Sequence, residues 1–448
     1  MAARTSKSAT KRKGRTGRTG RKPSKVSTKA RKKKTPGSRP RGPGTPAGGT
    51  RSGAGIRVRM YRVGFGDCFL LTLPTEGGTA NVLIDCGVHA RGDLKTMPSI
   101  VADIEKEAGG RLELVIASHA HQDHVSGFGK GKDTFRKFSV GEVWLPWTED
   151  PDDQLAIKLR RKRNALALAL QQHFAATGVS SGPASDAVLN AVGNADAMAL
   201  LKSGINGGKV RYLKGGVSLS DVAGIKGLSA QILGPPTDEK FLSVMDPPSG
   251  DRFMRLDGGG AVAANAIEPF DKMWIADQTV APLRVAELKD LTELLDESEG
   301  LAFTLDSVLN NTSLVVLFSY RGKTLLFPGD AQYGNWRSWM ESADGTSILS
   351  HLNYFKIAHH GSHNATPKSA LDKTPEKAFA AHISTQNKPW GSIPFKKMLD
   401  ELDVKASGYV RSDSIPLAGV SGAPKGPAYK ETQGFTLGPF WSDYTLAL

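Results

Sequence analysis

From Ile56 onward the chain alternates short apolar runs with turn-forming residues. IRVRMYRV is followed by CFLLTLP, a turn at Gly77-Gly78 and NVLIDCG, three runs of strand length that predict an antiparallel β-meander. A helical pattern around Met97 to Glu107 leads into the apolar run LELVIAS (112–118), which predicts a further strand. After EVWLP, around Val143, helical periodicity takes over, most clearly from Asp152 to Ala175, before strand patterns return near VRYL and SAQILGPP. The stretch from about 144 to 300 reads as an insertion. A second strand-rich half opens with TSLVVLFSY (312–320), turns at Arg321-Gly322, returns as KTLLFPGD and later gives NYFKIAHHGS. Two halves that mix strands with helices predict an α/β chain folded as an αββα sandwich, its active site between loops at one edge of the sheets. No internal repeat of fixed period is visible.

Residues 1–53 break this pattern. The first 52 positions hold 18 of the 59 Lys and Arg and no Asp or Glu, in a background of Gly, Pro, Ser and Thr with almost nothing to bury. That composition predicts a disordered arm ahead of one domain spanning 54–448. The formal net charge of +15 belongs to the arm, because the rest of the chain sets 41 basic against 44 acidic residues. Runs such as Lys11-Arg12-Lys13 and Arg31-Lys32-Lys33-Lys34 form an electrostatic footprint for nucleic acid or another polyanion. With no aromatic residue to stack on bases, such binding would be sequence-independent and salt-sensitive. A solubilising tail without a partner is the alternative, and in a eukaryote the same clusters would serve as a nuclear localisation signal.

The chain opens without the apolar stretch of a secretory signal, and no run of about 18 apolar residues follows. These features predict no membrane insertion and a cytoplasmic location, nuclear in the eukaryotic case. Cys68 and Cys86 fall in predicted strands and read as small core residues.

The segment His119-Ala120-His121-Gln122-Asp123-His124 adds chemistry. Three of the 10 histidines fall within six residues, directly after an apolar strand, where a rigid scaffold can aim a short loop. Imidazole nitrogen and carboxylate oxygen suit Zn²⁺ and similar divalent ions, and alternate residues on a tight turn can face two neighbouring metal positions. The pattern therefore predicts a metal site rather than solvated loop histidines.

HAHQDH resembles the His-x-His-x-Asp-His signature of the metallo-β-lactamase superfamily. Further segments, VGFGDCFLL (63–71), LIDCG (83–87), NNTSLVV (310–316), FPGDA (327–331) and KIAHHGS (356–362), resemble in the same order the hydrolase domain of ComEC/Rec2-type competence proteins. The resemblance covers about residues 56–400, with a gap across the insertion. It implies the αββα fold and hydrolysis directed at phosphoesters, here without a membrane channel. It implies that His119 and His121 bind a first metal, that Asp123 and His124 bind a second, and that Asp330 bridges the two. His360, or alternatively His359, would complete the second position, and the expected cofactor is two Zn²⁺, with Mn²⁺ as the alternative. Asp67 and Asp85 match acidic positions beside the site and would hold ligand imidazoles by hydrogen bonds. For Asp85 a plain strand-terminating role is the alternative.

Two departures stand out. Many superfamily members add a histidine to the first metal, but between His124 and Asp330 this chain offers only His173, which lies in a predicted helix and reads as a surface or core-edge residue. In STQNKPWGSIP (384–394), where competence-type relatives tend to carry His before Pro, this chain has Ser392-Ile393-Pro394.

A pair of divalent ions lowers the pKa of a shared water from about 15.7 toward 7, so metal-bound hydroxide is the expected nucleophile and no Ser or Cys nucleophile is needed. Asp123 and Asp330 are then the catalytic carboxylates. His363, or the non-ligating member of the 359–360 pair, is the candidate general acid. KLRRKRN (158–164) would guide an anionic chain or form a solvated helix face, and Trp336 with Trp339, three apart, read as core. The leading expectation is a hydrolase that cleaves a phosphodiester in nucleic acid or a nucleotide. A carboxylic ester, lactone, thioester or β-lactam is the alternative substrate, since fold does not choose among them. A nucleic-acid-binding protein with an inactive or structural metal domain is the alternative of another class.

Overall fold

The computed structural model describes residues 55–178, 180–248, 251, 298–341, 344–417 and 434–448. The basic arm, with Lys11, Arg12, Lys13 and Arg31 to Lys34, lies outside the described residues, as do positions 252–297.

In chain order the strands are β1 (Gly55–Tyr61), β2 (Cys68–Thr75), β3 (Gly78–Cys86), β4 (Arg111–Ile116), β5 (Ser139–Pro146), β6 (Lys209–Leu213), β7 (Val217–Leu219), β8 (Leu228–Gly234), β9 (Val315–Tyr320), β10 (Lys323–Phe327), β11 (Tyr354–Lys356), β12 (Phe379–Ile383), β13 (Ala406–Arg411), β14 (Phe435–Leu437) and β15 (Trp441–Ala447). They form two sheets, ordered β14-β15-β1-β2-β3-β4-β5-β6 and β13-β12-β11-β10-β9-β8-β7. Each sheet changes character along its width. β1-β2-β3 is the expected antiparallel meander, and β3-β4-β5-β6 runs parallel. Likewise β7-β8-β9-β10 is antiparallel and β10-β11-β12-β13 parallel.

Side chains on successive strand positions point to opposite faces, and here both faces are covered, which is why these strands are almost continuously apolar. On β2, Phe69, Leu71 and Leu73 face the second sheet and meet Val316, Phe318, Leu325 and Phe327 in the inter-sheet core, while Cys68 and Leu70 face outward. The outer face of the first sheet packs Ile100 and Ile104 of the Met97–Ala108 helix and Val125 and Phe128 of the Gln122–Lys130 helix. On the far side, Trp336 and Trp339 of the Tyr333–Met340 helix, with Met398 and Leu402, cover the second sheet. The layers are helix, sheet, sheet, helix, as the periodicity predicts, and both tryptophans and both cysteines lie in the core. Among the described residues, no helix is long and apolar enough to cross a membrane.

Part of the stretch 144–300 belongs to the sandwich itself. β6 extends the first sheet by pairing with β5, and β7 and β8 build the antiparallel end of the second by pairing with each other and with β9. What leaves the sandwich between Pro146 and Lys209 is helical, chiefly Gln154–Thr177, Pro183–Ala191 and Ala195–Lys202. β6 and β7 are short and partly exposed sheet-edge strands, so their hydrophobic signal is weak. The basic run 158–164 sits on the first of these helices, where Arg163 pairs with buried Glu149 and Arg160 donates to the Thr148 carbonyl at 2.5 Å. At least part of that run anchors the helix to the domain.

Candidate metal centre

The parallel strands of both sheets end at one edge, and the loops that leave those ends carry the site. Asp85 closes β3, the 119–124 turn follows β4, Asp330 follows β10, His360 follows β11 and Ser384 follows β12. The ligand atoms of Asp123, His124, Asp330 and His360 lie within 4.8 Å of one another, and so do those of His119, His121 and Asp123. Asp123 is common to both groups. His360 Nε2 is 3.1 Å from Asp123 Oδ2 and 3.2 Å from Asp330 Oδ2, and His124 Nε2 is 3.0 Å from the same Asp330 oxygen. None of these six side chains belongs to a residue more than 2% exposed.

The local backbone is built for this convergence. At Gly87 a Cβ would stand 2.4 Å from His124 N, so only glycine lets the end of β3 pass so close to the histidine turn. His359, His360 and Gly361 all have positive φ, which swings the chain away from the direction of β11. That turn separates the two imidazoles. His360 enters the cluster, whereas His359 Nε2 lies 3.4 Å from Asn310 Nδ2 and its Nδ1 lies 3.5 Å from Gln332 Nε2. Asp123 is held from the helical excursion, since Asn190 Nδ2 donates to its Oδ1 at 2.9 Å and its backbone N–H donates to Asn190 Oδ1 at 3.1 Å.

The two acidic residues expected beside the site divide their tasks. Asp85 accepts from Ser118 N at 2.7 Å and Ser118 Oγ at 2.8 Å, and its Oδ2 is 2.8 Å from His124 Nδ1. It is thus an imidazole-orienting carboxylate rather than a plain strand end. Asp67 is closely paired with Lys356 and stands farther from the imidazoles, at 3.8 Å from His124 Nδ1 and 3.5 Å from His360 Nδ1. Lys356 opens the KIAHHGS segment, whose sequence pattern gives this position no role. It also donates to the Gly329 carbonyl at 2.9 Å and to Asp330 Oδ1 at 3.2 Å. A lysine on a buried strand, between apolar neighbours, is the signal that marks it.

Burial drives His119 well below its usual pKa and His121 down to about 3, so both are neutral lone-pair donors at physiological pH. Burial also opposes the charge on His124 and His360, but Asp330 and its neighbouring carboxylates outweigh it, raising His124 well above the usual range and His360 to about 10. The same pairings hold Asp123 and Asp330 low against the pull of burial. Asp306, on the helix Ser298–Asn311, is pushed up to about 8 by burial and by the charges of Asp123 and Asp330. Converging imidazole nitrogens and ionised carboxylates, sealed from solvent, form a donor set that fits divalent ions.

Other expected residues stand apart. The His363 side chain is 44% exposed, with Nε2 3.8 Å from Asp246 Oδ1, outside the buried cluster. His173 lies on the helix Gln154–Thr177 against Phe174 and is not among the residues whose potential ligand atoms converge.

A comparison with curated proteins finds no match. Among solved structures the chain is similar to the metallo-beta-lactamase fold protein YhfI from Bacillus subtilis, with 7% identity, a TM-score of 0.34, and coverage of 80% of this chain and 96% of that one. The family model described as "Metallo-beta-lactamase superfamily" matches residues 61–159, a segment that contains Asp67, Asp85 and the whole 119–124 turn. Over that segment the chain is similar to the metallo-β-lactamase superfamily, and the same segment supplies His119, His121, Asp123 and His124 of the groups that could hold a metal ion.

Proposed function

We propose that the protein is a metal-dependent hydrolase that cleaves a phosphodiester in nucleic acid or a nucleotide. The observation that carries the hydrolase reading is the sharing of Asp123 between two buried groups of potential ligands, with Asp330 within 3.2 Å of both His124 and His360. His119 and His121 would hold a first ion and Asp123, His124 and His360 a second, with Asp330 between them. Two such ions, Zn²⁺ or Mn²⁺, supply Lewis acidity toward a phosphoryl oxygen and lower the pKa of water. The chain's own residues do the rest. Asp85 and the Ser384 carbonyl fix the rings of His124 and His360, and Lys356 holds Asp67 and Asp330 in place. His363, partly exposed and three residues after His360, would hold the proton that the leaving group takes up.

The preference for phosphodiesters rests on the resemblance of the FPGDA and KIAHHGS segments to competence-type hydrolase domains, and the basic arm supports a polyanionic partner. A substrate panel tests it. With Zn²⁺ or Mn²⁺ added, turnover of bis(4-nitrophenyl) phosphate and single-stranded DNA is expected to exceed that of 4-nitrophenyl acetate and a simple lactone. The reverse order would leave a metallo-hydrolase of esters or lactones.

A further inference from the structure

Each imidazole has two ring nitrogens, and the partner of the outer one fixes which way the inner one faces. Three histidines at the site have an oxygen on Nδ1 and turn Nε2 inward. His119 Nδ1 is 3.1 Å from Ser118 Oγ, His124 Nδ1 is 2.8 Å from Asp85 Oδ2, and His360 Nδ1 is 2.9 Å from the Ser384 carbonyl. His121 is turned the other way. Its Nδ1 lies 2.9 Å from His119 Nε2, which makes Nε2 its outer nitrogen. That Nε2 is buried, forms no hydrogen bond, and has Asp306 Oδ1 3.6 Å away. Asp306 is itself held, because Asn310, one helical turn on and 1% exposed, donates to its Oδ2 at 3.0 Å. The tether occupies one carboxylate oxygen and leaves the other facing His121.

We propose that Asp306 is the positioning residue of His121, its free oxygen bonding Nε2 so that Nδ1 is the nitrogen offered to a divalent ion beside His119 Nε2. The proposal rests on the metal-centre reading above and deepens it. The first metal position has two imidazoles and no third, so a loosely held His121 would cost it most. Shortening 3.6 Å to a hydrogen bond of about 2.8 Å requires a shift of less than about 1 Å, within reach of an aspartate side-chain rotation. Outer carboxylates of this kind change metal affinity by about 10–100-fold.

The test uses the full chain, stripped with a chelator and titrated with Zn²⁺, as wild type, Asp306→Ala and Asp306→Asn. Wild type takes up two ions. Asp306→Ala keeps one affinity unchanged, which also shows that it folds, and weakens the other about 10–100-fold. Asp306→Asn, whose amide oxygen still accepts from Nε2–H, recovers most of the loss. In the zinc-loaded wild type, long-range ¹H–¹⁵N spectra show His121 protonated at Nε2, a slowly exchanging signal that disappears in Asp306→Ala. Unchanged affinities in Asp306→Ala overturn the proposal, as does loss of one ion from both variants alike, which would make Asp306 a ligand. Wild type that binds a single ion overturns it while sparing the metal centre, and wild type that binds none refutes the centre as well.

Discussion

Replacing Lys356 by Met keeps the length and apolar stem of a buried side chain but removes the cation that faces Asp67 and Asp330. The lysine and both carboxylates are about 1–2% exposed, so solvent cannot take over the lost interaction. Breaking a buried pair by removing one partner costs about 3–5 kcal/mol, mostly because the other charge stays uncompensated. The close contact to Asp67 and the 3.2 Å contact to Asp330 place this site toward the upper part of that range. For a domain of this size roughly 1–2 °C of Tm is lost per kcal/mol, so the expected drop is about 4–10 °C. The assay is thermal and urea unfolding in the presence of a chelator, since a bound cation would itself compensate Asp330. The double variant Lys356→Met with Asp67→Asn removes the stranded charge and is expected to recover more than half of the loss. A loss below about 1 kcal/mol, or a double variant no more stable than the single one, would show that the Lys356 charge does not compensate Asp67.

Three further outcomes are expected. His382, on β12 between Tyr354 Oη at 3.0 Å and Ser442 Oγ at 3.1 Å, is pushed down to about 3 by burial. Its folded pKa lies below the unfolded value of about 6.5, so the unfolded state alone takes up this proton and stability falls as pH drops from about 6.5 toward 3. In His382→Gln this limb is shallower, and the stability gap to wild type narrows by about 2 kcal/mol between pH 6.5 and 5; a constant gap contradicts the assignment. His360→Ala is expected to lose an ion by metal analysis while His359→Ala keeps its metal content, and the opposite result would exchange their roles. Deleting residues 1–53 should weaken binding to single-stranded DNA and flatten its salt dependence, whereas unchanged affinity would leave the arm without that role.

Short-range signals were legible in the sequence because they are written in consecutive residues. The meander, the 119–124 turn, FPGD and AHHGS each announce an element or a ligand cluster without reference to distant chain. What escaped depends on three-dimensional juxtaposition. Strand parity could not choose between His359 and His360, because positive φ at 359, 360 and 361 ends the strand pattern before either imidazole is placed. Asp306 stands in no motif, and only the approach of its helix to His121 gives it meaning. Asn190, which grips Asp123 from the helical excursion, carries no local signature at all. The carboxy-terminal strand β15, paired with β1 along its full length, was likewise invisible until the sheet order was known.

A hydrolytic metal centre at the buried histidine and aspartate cluster makes phosphodiester turnover depend on the bound metal. Complete chelation is predicted to abolish turnover, Zn²⁺ or Mn²⁺ to restore it, and Asp330→Asn to lower it by at least about a hundredfold under the same conditions. Turnover that survives chelation, or that is equal in wild type and Asp330→Asn, would contradict the account.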